Sequence, residues 1–458
     1  MSDTSDAPLQ GTHDRWLLPL LAAAIMLLLT TAVFSLLFPH LWYGEHDVSD
    51  ISVYFDHARA MAAGQLPYRD FDLEYPPLAA AVFVLPGHTG DLAQYTRWFS
   101  VTMFLFTLLT ALVTVATAAR LWQEGRKLIL SAAGAAAAIA AVGTIIENRF
   151  DILVGLAMGV ALLLLIRRNY FLAAVALGVG FALKLTPAIM MPLVLILAGT
   201  RRRALAAAGA FLVAAIVPFI PYLAMAPGGV FRIFSYHMDR PLQIESVLAS
   251  PLLLGRALGW THVQVVTSYG SQGISGPGAG LLAAAATYLT IAAVATVLGI
   301  VWQRRADLAR DHRLVVVATY ALVLAMLAFG KVLSPQYMVW LVPFVPLVAL
   351  TDVSLGASGF LLLFMTQVNF PSMYWGLVYL ERSAIYWLAA RNVLVLVTFG
   401  LALWRLATLP AEPAADPLGV EHEEDEPAGW PAEWSPEDWS PPAAEWSSPT
   451  CARPERSP

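Results

Sequence analysis

Long apolar runs separated by short polar segments occupy most of the chain, and this pattern predicts helices that cross a membrane. A helix needs about 20 consecutive apolar residues to cross the hydrocarbon core of a bilayer. Such runs, or somewhat shorter ones, occur at residues 16–38, 98–119, 128–146, 152–166, 204–222, 281–302, 314–330, 338–350 and 355–370, with a last span ending near residue 405. The pattern therefore predicts an all-α, polytopic transmembrane helical bundle.

One apolar stretch, residues 170–199, is flanked by arginines on both sides. Basic residues favour the cytoplasmic side of a membrane, so both ends of this stretch are expected there. We therefore predict a re-entrant pair of short helices broken at residues 184–187, because Pro187 lacks a backbone donor. The bundle then has about 12 crossing or half-crossing helices, with both chain termini in the cytoplasm.

The composition excludes a soluble protein. The chain is 58% hydrophobic and only 13% charged, whereas soluble domains carry about 25% charged residues. The acidic C-terminal tail accounts for much of the net charge of −5, and no pattern indicates a nucleic-acid partner. Cys451 is the single cysteine, so neither a disulfide nor a thiolate metal site is predicted within the chain.

Three segments follow from these patterns. Residues 1–14 are polar and are predicted to be a disordered cytoplasmic N-terminus. Residues 15–406 form the membrane domain, with outer loops at 39–95 and 223–280. Residues 407–458 are rich in Pro, Glu and Trp and lack the apolar surface that would offset the entropy of ordering, so a disordered cytoplasmic tail is predicted.

The first outer loop holds the densest group of carboxylates outside the tail. Apolar residues at helical spacing predict a short amphipathic helix that starts near Asp50, with Gly64 placed to end it. Asp50 then stands where aspartate is a favoured N-cap. Its carboxylate could cap the helix, act as a general base, or do both.

Lys184 is unusual because it interrupts an apolar stretch. A lysine at the centre of a membrane helix costs about 2.5–3.5 kcal/mol on insertion scales. The cost falls at the tip of a re-entrant pair that lines a wet cavity, where the lysine would suit an anionic lipid head group. The competing interpretation is a lysine whose side chain extends to the membrane surface.

Two further polar patches lie between predicted spans. The sequence HMDRPLQIES offers hydrogen-bonding groups that suit a sugar or a phosphate, and KVLSPQY contains Lys331, Gln336 and Tyr337. Either patch could instead be a capped turn or part of an aromatic belt. Isolated cations on the outer face could bind an anion or pair with neighbours, as Glu147 offers for Arg149. H-x-x-x-H spacing does not occur, and no metal site is predicted.

These polar segments resemble those of glycosyltransferase family 87. The loop DISVYFDHARAMAAGQLPYRDFDLEYPPL is similar to the first outer loop of that family, and its later segments are similar to FALKLTPAIMMPLVLI, RPLQIESVLASPLLL and KVLSPQYMVWLVP. The resemblance implies a GT-C fold with an active site on the extracytoplasmic face of a bacterial plasma membrane. It also implies an inverting transfer of mannose from a polyprenyl-phosphate donor, which yields an α-mannosidic link.

The resemblance also implies roles for individual residues. The catalytic aspartate of the family falls on Asp50, with Asp47 as the fallback. Lys184 lies in a Lys-x-x-Pro segment linked in related enzymes to the lipid phosphate, and Arg240 and Lys331 are further candidates for binding it. The candidates for sugar and acceptor binding are Glu147, His237, Gln243, Glu245, Gln336 and Tyr337. No cofactor is expected, since the lipid-linked sugar is a co-substrate; the acceptor is a glycolipid or glycan hydroxyl.

Two other classes stay open. One is a polytopic transporter or a flippase for lipid-linked saccharides, and the other is a polysaccharide polymerase or ligase. Transporters place ionisable residues near the membrane midplane and often contain inverted repeats. Here the charges gather in the outer loops and no repeat is visible, which favours a glycosyltransferase.

Overall fold

The computed structural model describes residues 14–40, 49–87 and 90–412, and most of this part of the chain is helical. Its α-helices are α1 (Asp14–Ala32), α2 (Ile51–Ala62), α3 (Pro77–Val84), α4 (Leu92–Leu121), α5 (Gly125–Val142), α6 (Ile145–Asn148), α7 (Asp151–Ile166), α8 (Tyr170–Leu183), α9 (Met191–Leu197), α10 (Arg201–Ile216), α11 (Ile220–Met225), α12 (Pro227–Asp239), α13 (Ser250–Ala257), α14 (Ala279–Gln303), α15 (Arg305–Arg310), α16 (His312–Phe329), α17 (Val345–Thr351), α18 (Val353–Gln367), α19 (Tyr374–Val378) and α20 (Arg382–Thr408). Short 3-10 helices cover Phe38–His40, Thr186–Met190, Val217–Phe219, Val247–Ala249 and Pro335–Leu341, and π-helical turns cover Val33–Leu37 and Val368–Ser372. The strands are β1 (Gln264–Ser268) and β2 (Ser271–Ser275). Asp47 lies outside the described residues, as do residues 1–13 and 413–458 of the two termini predicted to be disordered, and α20 extends to Thr408, beyond the predicted end of the membrane domain at residue 406.

Among the described residues, eight helical segments are long and apolar enough to cross a membrane. They are Leu18–Leu37, Leu92–Leu121, Gly125–Val142, Arg201–Met225, Ala279–Gln303, His312–Phe329, Val353–Ser372 and Arg382–Thr408. Shorter apolar helices are Asp151–Ile166, Tyr170–Leu183, Thr186–Leu197 and Val247–Ala257. The predicted all-α, polytopic bundle is confirmed, and the protein is a multi-pass membrane protein.

Helix α16 lies at the centre of the bundle. Of the residues of α16, 78% are buried inside the protein, whereas only 17% are buried in the most apolar part of α14. Helix α16 packs against α7, α14, α17 and α20. The apolar surface that α14 leaves exposed suits contact with hydrocarbon chains, since soluble monomers rarely expose large apolar patches.

The predicted break in residues 170–199 is confirmed. Helix α8 ends at Leu183, the backbone of Lys184 is extended, and a 3-10 helix leads into α9. Helix α8 lies against both α7 and α10. Packing against α10 is close enough that a Cβ on Gly178 would lie 2.7 Å from the carbonyl oxygen of Phe211. The end of α8 therefore lies beside the start of α7.

One predicted span is absent as a continuous helix. Residues 338–350 instead belong to the 3-10 helix Pro335–Leu341 and the short helix α17. The reason is proline, because Pro343 and Pro346 each remove a backbone donor from a continuing helix. The chain here folds back within the protein, where Trp340 is fully buried.

The outer segment 223–280 is more ordered than the predicted loop, since it contains α12, α13 and a β-hairpin. Tyr269 and Gly270 both have positive φ and form the tight turn between the strands. The hairpin also bonds to the chain before it: Ile244 N–H donates to Gln272 O at 3.0 Å, and Ile274 N–H donates to Leu242 O at 2.9 Å. These bonds fix the polar patch around Gln243.

Candidate active site

A cavity of about 740 Å³ opens among the polar segments of the protein. Its walls come from the start of α2, residues 72–75, the end of α12, the hairpin turn and the 3-10 helix Pro335–Leu341. The predicted site residues that line it are Asp50, Lys184, His237, Arg240, Gln243, Glu245, Gln336 and Tyr337. Glu147 and Lys331 do not line it. Segments that are distant in sequence therefore converge on one cavity.

Asp50 directly precedes α2, which follows the predicted amphipathic pattern and buries Ile51, Tyr54, Phe55 and Ala58. The carboxylate of Asp50 does not cap this helix. Ser49 Oγ accepts from the Ile51 N–H at 3.2 Å instead. The Asp50 side chain is 35% exposed, and its Oδ2 lies 2.8 Å from Arg149 Nε. The carboxylate is thus accessible from the cavity and is paired with the guanidinium group of Arg149.

Arg149 is buried at the turn between α6 and α7. Its Nη1 donates to the carbonyl oxygen and to Oδ1 of Asn148, at 3.0 and 3.1 Å. Its guanidinium carbon lies 5.9 Å from the centre of the Phe370 ring. The ion pair with Asp50 joins residues from two separate polar segments, which local sequence could not indicate. These contacts fix the guanidinium, and the guanidinium in turn orients Asp50.

Lys184 is buried and paired, so the interpretation as a lysine reaching the membrane surface is wrong. Its Nζ lies 2.7 Å from Asp151 Oδ1, and the Trp340 indole N–H donates to the same oxygen at 2.8 Å. The ammonium also lies 4.7 to 5.4 Å from the ring centres of Phe150, Tyr337 and Trp340. Aromatic faces and a carboxylate together offset the cost of burying the charge.

Three cations surround His237. Burial, followed by the charges of Arg240, Lys184 and Lys331, lowers the pKa of His237 to about 4. The imidazole is therefore neutral near pH 7, so one of its nitrogens can donate a hydrogen bond and the other can accept one. This part of the cavity carries a concentration of positive charge that suits an anionic ligand.

Lys331 does not line the cavity, but it supports the backbone of residues that do. Its Nζ donates to Met238 O at 2.6 Å, and its carbonyl oxygen accepts from the Gln243 N–H at 3.1 Å. Burial and the nearby charge of Arg240 lower its pKa. Its ammonium holds the backbone at the end of α12, so the predicted contact of Lys331 with a ligand stays a prediction.

Glu245 is a buried carboxylate at the edge of the cavity, 2% exposed. Asn369 Nδ2 donates to its Oε1 at 3.3 Å, and Arg391 Nη2 donates to its backbone oxygen at 3.1 Å. Burial raises the pKa of Glu245 to about 7, against the opposing charges of Arg391 and Arg149. Glu245 therefore changes its protonation near neutral pH.

Further cavity residues were not predicted as site residues. Glu74 is one of several carboxylates in the first outer loop, and it lies against the Tyr236 hydroxyl. Burial, and then the charge of Glu74, raise the pKa of Tyr236. Tyr374 follows α18, and burial with the charge of Glu245 raises its pKa to about 12. Both phenols stay protonated at neutral pH and can donate to a ligand. An aromatic residue in a membrane protein gives no sequence signal of such a role, because belts and cores use the same residues.

No metal was predicted. Within residues 14–40, 49–87 and 90–412, no group of three or more His, Cys, Asp or Glu side chains could hold a metal ion. That the protein has no metal site stays a prediction from the sequence.

The helical bundle and its cavity define a multi-pass membrane protein with a polar cavity lined by both acidic and basic side chains. The model of glycosyltransferase family 87 matches residues 73–335, which is more than half of the chain. The chain belongs to this family. Asp50 and α2 precede the matched residues, so the family model does not cover them.

Among solved structures, the chain is similar to the oligosaccharyltransferase of Archaeoglobus fulgidus, with 12% identity and a TM-score of 0.33. The match covers 88% of this chain and 56% of that one, so the chain spans little more than half the length of that enzyme. A search of curated proteins found no match.

Proposed function

We propose that the protein transfers mannose from a polyprenyl-phosphate donor to a hydroxyl of a glycolipid or glycan acceptor, with inversion. The carrying observation is that one cavity is lined by the carboxylate of Asp50 and by the cations Lys184 and Arg240. In this proposal the protein lies in a bacterial plasma membrane, the cavity faces the extracytoplasmic side, and both termini are cytoplasmic. The basic residues grouped at the other ends of the spans support this orientation.

Asp50 is the proposed general base. The acceptor oxygen attacks the anomeric carbon and gives its proton to the carboxylate, while the bond from that carbon to the phosphate oxygen breaks. One displacement of this kind inverts the anomeric centre. General-base catalysis contributes about 10²- to 10⁴-fold in rate. Exposure of Asp50 to the cavity and its support by Arg149 favour this role over helix capping.

Lys184 and Arg240 are the proposed ligands of the donor phosphate. A phosphate leaves as an anion and needs no proton, so fixed positive charge stabilises the leaving group. Lys184 is held by Asp151 and three aromatic rings, which limits the entropy lost when a ligand binds. Lys331 acts indirectly, by holding the backbone from which Arg240 projects.

The sugar and the acceptor are proposed to contact the neutral polar groups of the cavity. Among the predicted candidates these are His237, Gln243, Glu245, Gln336 and Tyr337. Glu147 is not proposed as a contact, because it lies in α6 and does not line the cavity.

The test measures transfer by membranes supplied with radiolabelled polyprenyl-phosphate mannose, followed by identification of the labelled product. We expect Asp50→Asn to reduce transfer by about 10²- to 10⁴-fold, because the acceptor hydroxyl loses its base. The control is Asp56→Asn, which changes an exposed carboxylate on the same helix, outside the cavity. Normal transfer by Asp50→Asn with inactive Asp47→Asn would move the base to Asp47, and normal transfer by both variants would refute base catalysis by either residue.

A further inference from the structure

A second, smaller cavity of about 310 Å³ lies near the end of α7 and the start of α8. Asp151 and Lys184 stand at the opposite ends of these two helices, and Lys184 lines the first cavity. The 16 residues of α7 cover about 24 Å at 1.5 Å per residue. The two cavities therefore lie at opposite ends of the same helix pair.

The second cavity combines apolar side chains with cationic ones. Its apolar lining is Leu165, Ile196, Leu197, Leu308 and Val315, and its polar lining is Arg168, Tyr170, Arg305 and His312. No acidic side chain lines it among the described residues. Such a cleft matches an amphiphile with a negatively charged head group.

The acids closest in sequence to these arginines pair with other residues. Asp307 Oδ2 lies 3.1 Å from Arg304 Nε, and Asp311 Oδ2 lies 2.7 Å from Arg313 Nη2. Within the described part of the chain, neither Arg168 nor Arg305 forms an ion pair. Within the described residues, the guanidinium groups of Arg168 and Arg305 therefore have no carboxylate in contact with them.

The two guanidinium groups are nevertheless held in place. Arg168 Nη2 donates to Ala309 O at 2.7 Å, and Arg305 Nη1 donates to Trp302 O at 2.7 Å. Arg305 also lies over the Trp302 ring, 4.6 Å from its centre. Each guanidinium has five N–H groups, so anchoring through one nitrogen leaves donors for a ligand.

We propose that the second cavity binds the phosphate group of an anionic phospholipid through Arg168 and Arg305, with the lipid chains against its apolar side chains. Guanidinium groups form strong charge-assisted bonds with phosphate, and basic pockets between membrane helices bind anionic head groups. The bound lipid would hold the start of α8 near the end of α9. Lys184 directly follows the other end of α8, so the lipid stabilises a helix that leads into the wall of the first cavity.

The test uses the purified full-length protein in a neutral detergent, with its thermal unfolding followed as ligand is added. Phosphatidylglycerol should raise the Tm to saturation, and zwitterionic phosphatidylcholine should raise it far less. In Arg168→Gln/Arg305→Gln the apparent affinity for phosphatidylglycerol should fall at least tenfold. Inorganic phosphate is a separate arm: a saturable shift with phosphate, and none with the lipid, would overturn the lipid assignment.

The matched control is Arg120→Gln/Arg202→Gln, which removes the same charge from exposed positions outside both cavities. This variant should respond to phosphatidylglycerol as the wild type does. An equal loss in the control would show general attraction of anionic lipid and would overturn the site. Native mass spectrometry of the single variants Arg168→Gln and Arg305→Gln counts bound lipid directly, so the test does not depend on the stability of the double variant. Unchanged lipid counts in both single variants would also overturn it.

Discussion

Two ion pairs lie at the first cavity, and they differ in which partner is more buried, the acid or the cation. In the pair of Asp50 with Arg149, the carboxylate side chain is 35% exposed and the guanidinium side chain 6%. In the pair of Lys184 with Asp151, the lysine side chain is 11% exposed and the carboxylate 1%. In the first pair the acid is the more exposed partner, although Arg149 also lines the cavity. The second presents a cation and hides an acid.

The reversal shows how one cavity can offer opposite charges without letting them neutralise each other. Each group that faces the cavity already has a buried partner, so Asp50 and Lys184 are not driven to pair together. The proposed reaction needs this separation, because a base must meet the acceptor hydroxyl while a cation meets the donor phosphate. The more buried partner of each pair, Arg149 or Asp151, is a positioning residue in this scheme.

The largest effect on stability is expected from Asp151→Asn. This change leaves the ammonium of Lys184 buried without its counter-ion, and breaking a buried pair in this way costs about 3–5 kcal/mol. The Tm in detergent should fall, and donor-dependent transfer should fall with it. Thermal unfolding and transfer of labelled mannose measure the two effects.

The matched variant for that prediction is Asp151→Asn/Lys184→Met, which removes both charges. Replacing a buried ion pair by apolar side chains is often neutral or stabilising, so the Tm should recover while transfer stays low. A double variant as unstable as Asp151→Asn alone would show that the lost stability does not come from an unpaired lysine. Recovery of transfer together with the Tm would remove Lys184 from phosphate binding.

A smaller effect on stability but a clear effect on catalysis is expected from Arg149→Lys. Lysine keeps the charge but loses the rigid planar fork, so Asp50 is held less accurately. A displacement near 1 Å can cost about 10²-fold in rate; we expect kcat to fall about 10- to 100-fold with little change in KM for the donor. Steady-state kinetics of the purified variant test this, with Arg69→Lys as the control in an exposed pair outside the cavity. A fall confined to the Tm would assign Arg149 a purely structural role.

The same contrast shows what the sequence could predict. Helix α2 and the break at Lys184 were readable, because apolar spacing and proline act locally. Eight of the residues that line the cavity, including Asp50, Lys184 and Arg240, were predicted too, since polar groups are rare between apolar spans. Asp151, by contrast, looked like a turn residue, and its contact with Lys184 exists only because α7 and α8 pack side by side.

The β-hairpin was missed for a different reason. Its strands have only five residues each, and the second, SQGIS, has a composition typical of loops, although Tyr269 and Gly270 do form a tight turn. The contacts of Glu245 with Asn369 and Arg391 could not be predicted, because those partners belong to later segments of the bundle. Sequence therefore gave the groups that face the cavity more readily than the groups that hold them.

The smallest expected effect is a pH dependence of stability, and here too two buried groups act in opposite directions. The pKa of Glu245 is raised to about 7, against about 4.3 in an unfolded chain. Between these values the folded state keeps a proton that the unfolded state has lost, so this contribution to stability falls as the pH rises. The pKa of His237 is lowered to about 4, against about 6.5 when unfolded. Its contribution therefore falls as the pH drops through that window.

The two contributions oppose each other between about pH 4.5 and 6.5, so the wild-type Tm should vary little there and decline from about pH 6.5 to 7.5. In Glu245→Gln only the histidine contribution is left, and the Tm should rise steadily from pH 4.5 to 6.5 and then level off. Thermal unfolding at four pH values tests this, with the exposed Glu381→Gln as the control. Parallel curves for Glu245→Gln and the wild type would show that Glu245 does not hold its proton to neutral pH. In that case the carboxylate would face the bound sugar as an acceptor of hydrogen bonds only.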